Sequence, residues 1–184
     1  INGMNEAGMQ ATGKHFPGHG GIFEDSHISE PLDARSYEQL FELDLKPFTE
    51  LKDNLGAMMT AHITFPNIDS VCVSYSSLWI KEILRERLAF EGIVFSDDLS
   101  MKGAGGYSMG EKAIKSIEAG CDMVLVCNDY DGTMDVVDAF EKNNIQNSSK
   151  IIALQNSADI DWIELVKKDR VKDIKNLIKE MGRV

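Results

Sequence analysis

The sequence predicts a parallel α/β fold, and three observations carry that prediction. Four short apolar runs alternate with longer stretches of helical spacing. Each apolar run gives way to polar, chemistry-bearing residues at its C-terminal end, where parallel α/β sheets bind ligands. The 184 residues are enough for one domain with a hydrophobic core. Four β-α units are too few for a closed eight-stranded barrel, which takes about 250 residues. The pattern fits an open sheet or the second half of a barrel.

The elements can be justified in order. "ATGKHF", 11–16, reads as a short strand running into a glycine-rich loop. Residues 35–54 place Tyr37, Leu40, Phe41, Leu45, Phe48 and Leu51 at helical spacing. Ser36 followed by Gln39 is a capping box at the start of this helix, and Pro47 is placed to kink or divide it. "GAMMTAHI", 56–63, closed by "TFPN", reads as a buried strand. Residues 76–90 are helical, with Trp79, Ile83, Leu84 and Leu88 on one side. "GIVFSDDL", 92–99, is another buried strand, and 108–120 is a helix opened by the Ser108/Glu111 capping box and closed by Gly120. "DMVLVCN", 122–128, is a fourth strand, 131–144 a helix, and the charged tail over 160–181 is helical. The glycine-rich stretch 103–110 reads as a mobile loop.

Composition narrows the class of partner. A net charge of −11 repels phosphate backbones, which argues against nucleic acid. No apolar run reaches the roughly 18 residues of a transmembrane helix, and no basic-then-apolar leader opens the chain. No membrane partner is expected, and the chain begins at Ile1 as a processed, trimmed or partial product would. The three cysteines, Cys72, Cys121 and Cys127, lack CxxC spacing and sit in apolar surroundings, which predicts reduced thiols and a cytoplasmic setting.

The chemistry gathers at the strand ends: Lys14 and His15, then His62, then Asp97 and Asp98, then Cys127 and Asn128. Each alone can be a loop or helix cap; several at one end read as a site. The segment "TGKHFPGHGGIFEDSH", 12–27, holds three of the four histidines. His15 and His19 are four apart, but Pro17 and Gly18 prevent the helix that would make this zinc-ligand spacing. "PGHGG" lacks the spacing of a nucleotide-binding loop. Neither metal nor cofactor is expected. In "DSH", Asp25 and His27 lie two apart on one side of an extended segment. A carboxylate beside an imidazole sets its tautomer and supports its charged form, as a general acid/base needs. In "FSDDLSM", adjacent carboxylates point to opposite faces, so one of the pair faces the site.

Two motifs in the right order, K-H-F-P-G-H-G followed after four residues by D-S-H, and "FSDDLSMKGA" downstream with "MTAHI" between them, resemble glycoside hydrolase family 3. The likeness is to its β-N-acetylhexosaminidases of bacterial cell-wall recycling. It covers most of the chain to about Asn128 and the C-terminal helices more weakly. The resemblance implies a (β/α)8 barrel of which residues 1–184 form one partial domain, the C-terminal half: four β-α units plus C-terminal helices. It implies Asp97 as nucleophile, His27 as acid/base, Asp25 as its dyad partner, and Lys14 and His15 on sugar hydroxyls, with Asp98 structural. The substrate implied is a small muropeptide such as GlcNAc-1,6-anhydroMurNAc. A phosphorylase or β-glucosidase of the same family is the nearest alternative, and an inactive half-barrel that only binds or assembles is the rival from another class. The missing N-terminal half, or self-association, is the expected macromolecular partner.

Overall fold

A computed structural model describes residues 1–22, 29–155 and 161–182. A short helix α1 (Asn2–Glu6), which no sequence signal marked, precedes strand β1 (Thr12–Phe16). Then come α2 (Tyr37–Glu42), α3 (Lys46–Leu51) and β2 (Ala57–Thr60). A π-type helix, Leu78–Arg87, leads to β3 (Ile93–Asp98), α4 (Met109–Ala119), β4 (Met123–Leu125) and α5 (Tyr130–Lys142). Helices α6 (Trp162–Lys167) and α7 (Asp169–Met181) follow.

The four strands form one parallel sheet in the order β1-β2-β3-β4. Thr12 pairs with Ala57, Ala57 with Ile93, and Phe95 with Met123. Each strand-to-strand passage is a crossover connection, so all four C-terminal ends lie along one rim. Among the described residues β1 and β4 are paired on one side only.

Both expected capping boxes form. Ser36 Oγ accepts from Gln39 N while Gln39 Oε1 accepts from Ser36 N; Ser108 and Glu111 repeat the exchange at α4. The helix expected over 35–54 is divided: Pro47 sits in the first turn of α3, where its missing N–H has no intrahelical role to lose. Leu88 N donates to Ile83 O, five residues back, which marks the wide turn of the π-type helix.

The larger core cluster lies between the sheet and the elements packed on it. Trp79 is fully buried, with its ring 6.1 Å from Phe16 and 5.1 Å from Phe65. A second cluster joins Leu99, Ala113 and Val136 beneath α4 and α5. Two expectations need correction. The stretch 103–110 is not a loose loop at its start: Lys102–Ala104 forms a 3₁₀ turn, Gly103 and Ala104 are buried, and Tyr75 Oη donates to Ala104 O. Cys127 is exposed rather than apolar in setting, because β4 already ends at Leu125 and the chain emerges at the rim. No described helix is long and apolar enough to cross a membrane.

Candidate active site

The rim of the sheet gathers the residues singled out by the sequence. Lys14 and His15 lie on β1, joined by a cis peptide bond, with Lys14 exposed and His15 half-buried. Asp97 lies at the end of β3. Strand β2 separates these two strands, yet His15 Nε2 stands 3.5 Å from Asp97 Oδ2 over its C-terminal end. The other carboxylate oxygen of Asp97 accepts the Asp98 N–H at 2.8 Å. One oxygen is thus held by backbone while the other faces the rim.

Asp98 turns the opposite way, as alternation along a strand requires. Its carboxylate accepts from Ser100 N (2.9 Å), Ser100 Oγ (2.6 Å) and Cys127 N (3.0 Å). Burial alone would raise its pKa; hydrogen bonds from Ser100 and Cys127 outweigh that and hold it below the ordinary value. Its place is the seam between β3 and β4, in keeping with a structural aspartate.

His62, named from the sequence only as a strand-end residue, lies two positions beyond β2 and is 1% exposed. Its Nε2 is 3.0 Å from Asp98 O and its Nδ1 3.0 Å from Ser74 Oγ, which is 2.8 Å from Thr60 Oγ1. Burial lowers the His62 pKa against the pull of the Asp97 charge. The buried amine Lys112 Nζ on α4 donates to Leu99 O at 2.9 Å, and its pKa is also lowered by burial.

An ion-pair triad lies on the trailing side of the loop after β1, and the leading side packs against it. Arg35 donates to Asp33 through Nε and Nη2 and to Asp44 through Nη1. Gly18, at φ +135°, leaves no room for a side chain against Asp44, and a Cβ on Gly21 would overlap the Arg35 guanidinium. The trailing stem is bonded to the segment after β2 by Asp33 N to Thr64 O and Thr64 N to Pro31 O. Sequence reading gave this triad no role: Asp33, Arg35 and Asp44 show neither a periodic face nor a motif. Asp25 and His27, the predicted acid/base pair, lie outside the described residues.

Two cavities border the rim. One, about 430 Å³, lies against Lys14, His15, Gly18, His19 and Asp44. The other, about 480 Å³, is lined by His62, Cys72, Tyr75, Tyr107 and Lys115, among others. Among the described residues no group of three or more His, Cys, Asp or Glu side chains converges to hold a metal ion.

The sequence profile of the glycosyl hydrolase family 3 N terminal domain matches residues 1–156. The chain belongs to glycosyl hydrolase family 3. It is 45% identical over 176 residues to a beta-hexosaminidase of Glaesserella parasuis serovar 5 (strain SH0165), an alignment covering 92% of this chain and 51% of that one. Native NagZ from Neisseria gonorrhoeae superimposes with a TM-score of 0.80 at 35% identity, covering 93% of this chain and 50% of that chain. NagZ of the same organism in complex with N-trifluoroacetyl-D-glucosamine gives a TM-score of 0.79 at 36% identity, covering 95% and 52%. The chain spans about half the length of the curated relatives it matches. For a family 3 chain, the rim bearing His15 and Asp97 is therefore the candidate active site.

Proposed function

We propose that this chain is the C-terminal half of the barrel of a retaining exo-β-N-acetylglucosaminidase acting on muropeptide fragments such as GlcNAc-1,6-anhydroMurNAc. The observation that carries the reading is the convergence of His15 and Asp97 over the end of β2. The relative bound to an N-acylated glucosamine supports the sugar class. Lys14 and His15 hold sugar hydroxyls. Asp97 attacks the anomeric carbon, a covalent glycosyl ester forms, and the bond to the leaving oxygen breaks as His27 gives that oxygen a proton. Neutral His27 then takes a proton from water, the water oxygen bonds to the anomeric carbon, and Asp97 is released. Asp25 supports the charged form of His27.

The test is to trap the full-length protein with a fluorinated, slowly turned-over N-acetylglucosaminide and map the adduct. Label on Asp97 is expected; label on Asp98 overturns the assignment. A turnover rate that depends on phosphate rather than water would make the enzyme a phosphorylase. Half-length coverage and the single-sided pairing of β1 and β4 favour a further reading: residues 1–184 alone associate and do not turn over substrate, because exposed strand edges template pairing. An assay of that segment with an aryl N-acetylglucosaminide, beside light scattering, checks it; full turnover by a monomer refutes it.

A further inference from the structure

We infer that His62 is a positioning residue for Asp97, working as a neutral imidazole whose Nε2–H fastens the end of β3 to β2. The inference rests on Asp97 being the nucleophile.

The paired register of β2 and β3 stops short of Asp97. The last paired residues are Met59 and Phe95, and β2 ends at Thr60. Asp97 stands two residues beyond that pairing. His62 spans the gap with its side chain: Nε2 reaches Asp98 O at 3.0 Å. On the opposite flank, Cys127 N reaches Asp98 Oδ1 at 3.0 Å. Residue 98 is thereby held by the segments that follow β2 and β4, with local support from Met101 N on the same carbonyl. Its own N–H holds Asp97 Oδ1. The carboxylate that must meet the anomeric carbon is thus oriented by a peptide that His62 anchors.

The tautomer follows from the partners. A carbonyl oxygen only accepts, so Nε2 carries the hydrogen. Ser74 Oγ has one proton, which either Nδ1 at 3.0 Å or Ala61 O at 3.1 Å can take. A neutral ring takes it, and Thr60 Oγ1 then donates to Ser74, giving a one-way chain from Thr60 to Asp98 O. A charged ring would reverse the His62–Ser74 bond and send the Ser74 proton to Ala61. The charges around the ring are Asp97 and Asp98 on β3 and Lys112 on α4, with Glu30, Lys115 and Glu118 bordering the same cavity. Burial and Lys112 oppose charging and the two aspartates favour it, with burial the largest effect.

The experiment uses the full-length protein. His62→Ala lowers kcat by roughly 10²-fold, the usual scale for about 1 Å of misplacement, with KM changed less than about threefold. His62→Gln sets an amide N–H near the position of Nε2 and recovers about tenfold of that loss, whereas His62→Asn, which mimics Nδ1, does not. The pH profile of kcat/KM keeps its shape in the Gln variant. In the unmutated protein, nitrogen NMR shows His62 as the neutral Nε2–H tautomer between pH 6 and 8. A charged ring or an Nδ1–H tautomer in that range overturns the inference, as does a folded Ala variant with kcat within about threefold of the parent. Adduct mapping separates the two levels. Label away from Asp97 breaks the functional reading, while label on Asp97 without rescue by Gln breaks only the role of His62.

Discussion

Trp79, Ile80, Ile83 and Leu84 of the π-type helix are buried to 1% exposure or less, whereas Ile174, Leu177, Ile178 and Met181 of α7 are 47% exposed or more. Both helices carry apolar residues at helical spacing. What differs is the surface on offer. The π-type helix lies on a sheet whose strands present Phe16 and Met58, with Phe65 beside them. Helix α7 packs mainly on the short α6. An apolar stripe stabilises a fold only where a second apolar face receives it, and burial follows the partner rather than the pattern.

If that contrast is sound, changes near the sheet outweigh changes in the tail. The largest effect is expected at the rim itself. Asp97→Ala in the full-length protein should cost on the order of 10⁴-fold or more in kcat, about 5 kcal/mol of barrier, with the melting temperature little changed. Steady-state kinetics beside a thermal melt checks this.

Next comes Trp79→Ala, which empties a buried aromatic site. It should cost about 3–5 kcal/mol of stability by urea denaturation. A cost below ~1 kcal/mol would mean that the contrast with α7 is false.

Arg35→Ala should come third, at about 2 kcal/mol. It strands the side chains of Asp33 and Asp44, which are 4% and 9% exposed, though the quarter-exposed guanidinium keeps the loss below that of a fully buried pair. Because the leading side of the loop after β1 packs against the triad at Gly18 and Gly21, kcat should fall with it; a stability loss with unchanged kcat would leave the triad purely structural.

Acid sharpens the comparison at a smaller scale. Asp98 has a lowered pKa in the folded state because hydrogen bonds from Ser100 and Cys127 outweigh the opposing effect of burial. Its stabilising contribution is complete above the unfolded value of about 3.9 and is lost as pH falls through the lower folded value. Asp98→Asn should therefore flatten stability against pH below about pH 4 while leaving the slope between pH 6 and 8 unchanged. Denaturation titrations at several pH values read this directly.

The smallest effect belongs to the tail. Ile178→Ala removes a side chain that is 62% exposed and should shift stability by less than about 0.5 kcal/mol.

Much of the fold was legible in the chain. All four strands lie inside the apolar runs that announced them, both capping boxes close, and Gly120 caps the end of α4. These features depend on residues within a few positions of one another. Of the residues the sequence put at strand ends, His15 and Asp97 lie next to the last residues of β1 and β3, whereas Lys14 is in the middle of β1. The 102–104 turn was misread because glycine signals backbone freedom, while its burial under Tyr75 comes from a contact 29 residues away. Helix 35–54 kept its apolar spacing in sequence, yet Pro47 settled where it breaks.

By itself, then, the sequence determined the strands, their polar ends, the caps and the family motifs, because periodicity and capping are local physics. Tertiary structure alone decided that His15 meets Asp97 across an intervening strand, that Arg35 joins Asp33 to Asp44, and that His62 closes the gap above the β2–β3 ladder. Apart from the local Asp33–Arg35 pair, those contacts depend on how the elements pack, which brings groups 9 to 82 residues apart within hydrogen-bonding or ion-pair range, and no short-range pattern encodes that distance.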